Sequence, residues 1–239
     1  MFAKNGPTFF ELMQQALSST PKGYDLLAPK FDLTPFRTPD EILEPAIAAL
    51  GPMDAALDVC CGTGAAMKFL RPLCRERVLG IDFSPGMLEA AKQRMAQENG
   101  TARVEFVEAD VMRMAFREEF DAVTCFGALG HILPAETRKF LLLVHRSLKP
   151  GGRFVFVTGY PPHPLSPKSL ALRTFNGIMK VRNAVIKPEF IMYYLTFLLP
   201  EIERTLQESG FTVEVRKDIF PEPFGRYCLV VATRSLSPR

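Results

Sequence analysis

The segment Leu57-Asp58-Val59-Cys60-Cys61-Gly62-Thr63-Gly64 gathers residue types that can hold a ligand against main chain. Its glycines carry no Cβ, so a bound molecule can approach the backbone closely. A helical pattern follows, and the free N–H groups of a helix start face the same spot. Asp82 ends the next apolar run, and a carboxylate there can accept hydrogen bonds from both hydroxyls of a ribose. Asp110 follows the third run, where it can accept from an adenine amino group. His131 follows the fourth run, in Gly127-Ala128-Leu129-Gly130-His131-Ile132. An imidazole titrates near neutral pH and suits a base or an acceptor-orienting group; it can equally serve as a helix cap or bond to backbone. Gly-x-Gly alone marks many structural turns. Acids in register behind it give the reading its weight.

Such residues need a scaffold that brings strand ends together. Residues 55–60, 78–81, 104–107, 122–126 and 153–158 read as short strands, with helical patterns over 64–70, 85–97 and 134–147. Strands alternating with helices imply a parallel sheet covered on both faces, joined by right-handed crossovers. After the fifth strand the alternation stops. Residues 160–190 are proline-rich, with mixed apolar and basic side chains. A helix over 200–209 ends at Gly210, and strands over 211–215 and 227–232 follow with no helix between them, as in an antiparallel edge. Upstream, residues 1–50 read as short helices broken by prolines. Thr38-Pro39-Asp40-Glu41 has the form of a capping box, opening a helix that Gly51-Pro52 stops.

The motif around Gly62 resembles motif I of the class I S-adenosylmethionine-dependent methyltransferases, with Cys60 where their first glycine stands. A negative φ at Cys60 would accommodate that departure. The segments Gly80–Leu88, Glu108–Val111, Phe120–Val123 and Leu148-Lys149-Pro150-Gly151-Gly152 resemble later motifs of that family. The resemblance implies an α/β fold, a Rossmann-like, seven-stranded, mostly parallel sheet with an antiparallel terminal strand and helices on both faces. It implies S-adenosylmethionine as cofactor. The backbone at Cys60, Gly62 and Gly64, with Asp58, lies against its methionine part. Asp82 holds the ribose, Asp110 and the Val111 N–H read the adenine, and Phe83 and Met87 pack on the ring. The Cys125 and Phe126 carbonyls meet the amino group, and Tyr24 and Arg37 approach the carboxylate. A nicotinamide site fits less well: Met67 occupies the last position of G-x-G-x-x-G/A, where a small residue is wanted.

Domain organisation follows from the same reading. Residues 1–50 form a helical cap over the site, and 51–239 form the core, with an acceptor-pocket insert at about 160–198 that brings Tyr160, His163 and Tyr194 to the acceptor beside His131. The acceptor is expected to be a small, partly apolar organic molecule, methylated by in-line displacement. The base-methylating motif Asn/Asp-Pro-Pro-Tyr/Phe is missing after the fourth strand, where Phe126-Gly127-Ala128-Leu129 stands. A membrane-surface enzyme is the alternative, because Lys168, Arg173, Lys180, Arg182 and Lys187 interleave with apolar residues. A non-catalytic binding protein is another.

Composition bounds these readings. The 239 residues are 47% hydrophobic and 23% charged, which fits one globular core with additions. A net charge of +3 neither demands nor excludes a nucleic-acid partner; the missing base-methylating motif is what argues against one. The five cysteines, Cys60, Cys61, Cys74, Cys125 and Cys228, form no C-x-x-C pair, and their odd number fits reduced thiols in a cytoplasmic protein. His131, His145 and His163 lack zinc-ligand spacing, so no metal site is expected. Residues 1–17 lack an apolar signal core, and no run of about 18 apolar residues predicts membrane insertion. The oligomeric state is not encoded in any of these features.

Overall fold

The structure is a computed structural model that describes residues 5–235; residues 1–4 and 236–239, the outer ends of the two expected segments, lie outside it. Seven strands form one sheet: β1 (Met53–Val59), β2 (Cys74–Asp82), β3 (Arg103–Glu108), β4 (Phe120–Thr124), β5 (Leu148–Thr158), β6 (Phe211–Arg216) and β7 (Cys228–Arg234). Their order is β3-β2-β1-β4-β5-β7-β6. The pairings from β3 to β5 are parallel, and β7 runs antiparallel to both β5 and β6. Strand order reverses between β1 and β4. In open α/β sheets the crevice beyond the strand ends at such a reversal takes the ligand.

The helices are α1 (Phe9–Leu17), α2 (Thr20–Leu27), α3 (Asp40–Ala48), α4 (Met67–Leu70), α5 (Pro85–Met95), α6 (Thr137–Ser147), α7 (Pro167–Val185) and α8 (Glu201–Glu208). Side chains alternate across a strand. Ala56, Val78, Ala122, Val155 and Val231 accordingly pack with Leu43 of α3, Met67 of α4 and Leu88 of α5. Their neighbours Leu57, Leu79, Val123, Phe154 and Val230 pack with Phe140 and Val144 of α6 and Leu206 of α8. The expected fold class is the observed one.

Local readings needed correction in two places. The capping box at Thr38 does not form: Pro39 is the N-cap residue of α3 and no side chain caps it. Asp40 in its first turn is instead drawn into ion pairs with Arg37 and Lys68. The stretch after β5 holds the 19-residue helix α7, which the sequence pattern hid. Its inward face includes Ser169, Met179 and Asn183, so the apolar period of a core-facing helix is broken by polar residues. Asn183 is satisfied there, because its Nδ2 donates to the Phe190 carbonyl (3.0 Å) and its Oδ1 accepts from the Phe190 N–H (3.0 Å).

Candidate active site

The turn leaving β1 is left-handed at three positions: φ is +55° at Cys60, +52° at Gly62 and +76° at Gly64. The negative φ expected at Cys60 is therefore not found. A non-glycine residue in this region costs roughly 1–2 kcal/mol, so neighbours must hold it there. They do so by hydrogen bonds from the Cys61 N–H to the Ile81 carbonyl (2.9 Å), from the Gly64 N–H to the Cys61 carbonyl (2.9 Å), and from the Gly62 N–H to Asp82 Oδ2 (2.8 Å). The two glycines differ in purpose. A Cβ on Gly62 would meet nothing within 4 Å, whereas one on Gly64 would stand 3.2 Å from the Ala91 Cβ of α5. Gly62 is bare pocket wall and Gly64 is a helix-packing position.

Above this turn lies a pocket open to solvent. Its floor includes Asp58, Cys60, Gly62 and Asp82, one flank includes Phe83 and Met87, and the other includes Phe126, Ala128 and His131. Tyr24 of α2 and Phe31, Phe36, Arg37 and Thr38 beyond it supply the cover. Asp25 fixes that cover in place. Its carboxylate accepts from the Ser84 hydroxyl (2.6 Å) and the Gly86 N–H (3.0 Å) at the start of α5.

Two buried carboxylates face the pocket, each with different hydrogen-bond partners. Asp58 is 2% exposed and accepts from the Thr124 hydroxyl (2.6 Å) across the seam between β1 and β4. Burial pushes its pKa up to about 7, against the Thr124 hydrogen bond and helped by the nearby Asp82 charge. Asp82 is also pushed up by burial, but the N–H groups of Ser84, Gly62 and Phe83 pull the other way. Each Asp82 oxygen has one such N–H at 2.8–3.0 Å, Gly62 on Oδ2 and Ser84 on Oδ1. A carboxylate oxygen has two lone-pair sites, so each keeps acceptor capacity.

His131 is held from both sides. Its Nδ1 meets the Ile191 carbonyl, which can only accept, so Nδ1 carries the proton. Its Nε2 is then a bare lone pair and accepts from the Tyr24 hydroxyl at 2.7 Å. Burial lowers the His131 pKa against the opposing pull of that carbonyl and keeps the ring neutral. Burial raises the Tyr24 pKa, and the Asp82 charge raises it further, so the phenol keeps its proton. Arg37 reaches the pocket, but Asp32 and Asp40 both pair with its guanidinium. Cys61 is a packing residue whose thiol burial pushes up.

Other expected residues lie apart from the pocket. Asp110 caps a 3-10 turn through the Met112 N–H (2.8 Å), and Val111 and Cys125 are buried in the core beneath. The extended, exposed segment after β5 carries His163 to the surface, where its Nδ1 accepts from the Leu165 N–H (3.3 Å). Tyr160 lies under the Lys217 ammonium, 5.0 Å from its ring centre; Tyr194 is the exception, packing on Phe175 (5.1 Å) yet near enough to Tyr24 to help raise that phenol's pKa. The 160–198 segment therefore supports the pocket through Phe190, stacked on Tyr24, and through the Ile191 carbonyl, without lining it. Sequence reasoning missed Phe31, Phe36 and Thr38, which sit in a proline-broken stretch without period, and Ile191, whose part is played by main chain.

A methyltransferase-domain family model matches residues 56–152. A demethylmenaquinone methyltransferase of Staphylococcus aureus (strain JH9) is 35% identical over 175 residues, covering 67% of this chain and 69% of that one. The chain belongs to the class I S-adenosylmethionine-dependent methyltransferases. This methyltransferase also aligns with a demethylmenaquinone methyltransferase of Clavibacter sepedonicus, 42% identical over 111 residues, covering 46% of this chain and 43% of the relative. The chain thus spans about half the length of several curated relatives it matches, 43–49%. The crystal structure of the N-methyltransferase NodS from Bradyrhizobium japonicum WM9 shares the fold, with a TM-score of 0.57 at 17% identity over 82% of this chain and 93% of that one.

Proposed function

We propose that this methyltransferase carries a methyl group from S-adenosylmethionine to a small, partly apolar acceptor, a hydroxylated aromatic ring of the quinol class. The observation that carries the reading is a single pocket holding both the Gly62–Asp82 cradle and the Tyr24–His131 pair. The residues present fit the cofactor. Gly62 leaves space where a side chain would stand, Asp82 keeps acceptor capacity on both oxygens for a ribose diol, and Phe83 and Met87 offer apolar surface to adenine. Asp58, poised near pH 7, gives up its proton when a cationic group sits beside it. Asp110 and Val111, just beyond β3, remain proposed contacts for the adenine edge, as Gly64, Cys125 and Phe126 do for main-chain support.

S-adenosylmethionine, when bound, supplies a methyl group on an activated sulfonium, open to in-line displacement. The protein's share is positioning and proton handling. Tyr24 keeps an acceptor lone pair for an incoming hydroxyl while its own O–H points at His131 Nε2. A proton leaving the acceptor passes to the Tyr24 oxygen as the Tyr24 proton moves to His131, and the Ile191 carbonyl steadies the resulting imidazolium. Phe31, Phe36 and Phe126 give flat apolar walls suited to a ring. The relatives named for naphthoquinone-type acceptors support that acceptor class. Of the described residues, 5–50 act as the cover, 51–235 as the core, and 160–198 as its outer support.

The test combines calorimetry with transfer of labelled methyl to a water-soluble demethylated naphthoquinol. Uptake of S-adenosylmethionine and label in the extracted quinol are expected. Uptake of NAD in place of S-adenosylmethionine, or uptake with no label moved to any hydroxylated ring, overturns the reading.

A further inference from the structure

Away from the pocket, α1 and α7 meet near their C-terminal ends. Arg182 joins them, donating to the Ala16 carbonyl (3.0 Å) and the Ser18 carbonyl (2.8 Å). Its remaining N–H groups go to Asn183, Ile186 and Pro188, so Arg182 is an internal fastener. Each of these helices also leaves large apolar side chains exposed. On α1, Phe9 and Phe10 are 75% and 73% exposed. On α7, Ile178, Val181 and Val185 are 61%, 66% and 77% exposed. Their spacing of three and four residues places them on one stripe of the helix.

Charge accompanies this stripe with one sign only. Arg173 and Lys180, seven residues apart, share a line of the helix about 100° or more round from this stripe, and Lys168 stands at the helix start; all three are exposed. None of the three is ion-paired among the described residues, and α7 contains no Asp or Glu. On α1 the sole acid, Glu11, is taken up by Lys30 and by the Thr8 N–H. No described helix is long and apolar enough to cross a membrane.

We propose that the outer face of α1 and α7 docks on an anionic lipid bilayer surface. Apolar side chains at the headgroup boundary and unpaired basic residues on the same helix are the two contributions that hold an interfacial helix. A second copy of the chain would set like charges against each other, and a nucleic acid has no use for the apolar stripe. Docking also orients the pocket, because α7 leads through Asn183 and Phe190 to the Ile191 carbonyl that holds His131. On the functional reading above, an apolar acceptor dissolved in the bilayer then meets the covered side of the site.

The experiment is co-sedimentation of the full chain with vesicles of phosphatidylcholine, with and without roughly a third phosphatidylglycerol. Binding is expected to the anionic vesicles alone and to weaken as salt shortens the Debye length. The double variant R173E/K180E should bind at least about tenfold more weakly, since one basic residue near such a surface is worth roughly fivefold. I178D/V185D should also lose binding. Both variants should keep their circular dichroism, S-adenosylmethionine uptake and transfer to a soluble quinol. Four results each overturn the proposal: no pelleting with anionic vesicles, equal pelleting with neutral ones, wild-type binding by R173E/K180E, or a dimer or oligonucleotide complex in place of vesicle binding. Lost pelleting with retained methyl transfer removes only the surface, and pelleting without S-adenosylmethionine uptake removes only the functional reading.

Discussion

The Tyr24 hydroxyl and the His131 Nε2 stand 2.7 Å apart, joining the covering helix α2 to the turn after β4. Their rings are nearly perpendicular (87°), with centroids 5.2 Å apart, and Phe190 stacks against Tyr24 at an interplanar angle of 10°. Both side chains are thereby fixed in rotation, and the proton between them has one direction to point.

This pair sets the first prediction. Tyr24→Phe and His131→Gln should each lower kcat by about 10²–10³, within the range of general acid–base contributions, while calorimetric affinity for S-adenosylmethionine stays within roughly twofold. Unchanged kcat in both variants would remove the proton-handling role.

The pH dependence has a defined sign. Burial depresses the His131 pKa, so the neutral, proton-accepting ring persists below the ordinary histidine range. The rate should be level through neutrality and fall only on the acid side of pH 6.5. Tyr24 adds no alkaline limb below pH 10, because burial raises its pKa. A midpoint at or above pH 6.5 in a kcat profile, abolished by His131→Gln, would show that burial does not govern this ring.

Asp58 links the site to stability. Its carboxyl titrates at about 7 in the fold against an ordinary 3.8, so the folded state holds a proton that the unfolded state has released. Stability from this group is full below about pH 4 and is lost as pH rises through 7, by about 4 kcal/mol at most. The Asp58→Asn protein keeps an acceptor for the Thr124 hydroxyl and should lack this slope. Urea midpoints at pH 5 and pH 8 measure it. Equal slopes in the two proteins would sink the assignment.

Gly62 and Gly64 should separate on substitution by alanine. Both lose roughly 1–2 kcal/mol to the left-handed backbone. Gly64→Ala additionally presses on Ala91 and should cost about 1–3 kcal/mol more, seen as a lower Tm. Gly62→Ala should lose affinity for S-adenosylhomocysteine out of proportion to its stability. Matching losses of affinity in both variants would contradict the division of labour.

Much of this fold was legible because its signals are local. Strand runs ending in Gly62, Asp82 and Asp110 give the parallel half, and the helix-free spacing between β6 and β7 gives the antiparallel edge. Helix α7 was hidden because Ser169 and Asn183 occupy core-facing positions, where polarity is satisfied by partners remote in sequence. In the site, Asp82 and Gly62 announce themselves by motif. The left-handed Cys60 does not, since two of the three hydrogen bonds that hold the turn reach to β2, remote in sequence. Tyr160 and His163 are expected at the site from their position after β5, and the exposed course of that stretch takes these two elsewhere, whereas Tyr194 stays near Tyr24.

His131 takes its tautomer from a main-chain carbonyl, that of residue 191, and every backbone offers that group whatever side chain it bears. The proton placement is thus insulated from mutational drift at this position. Among the described residues, every side chain that lines the pocket lies between residues 24 and 131, so the later segment can change its outward character without replacing any of them.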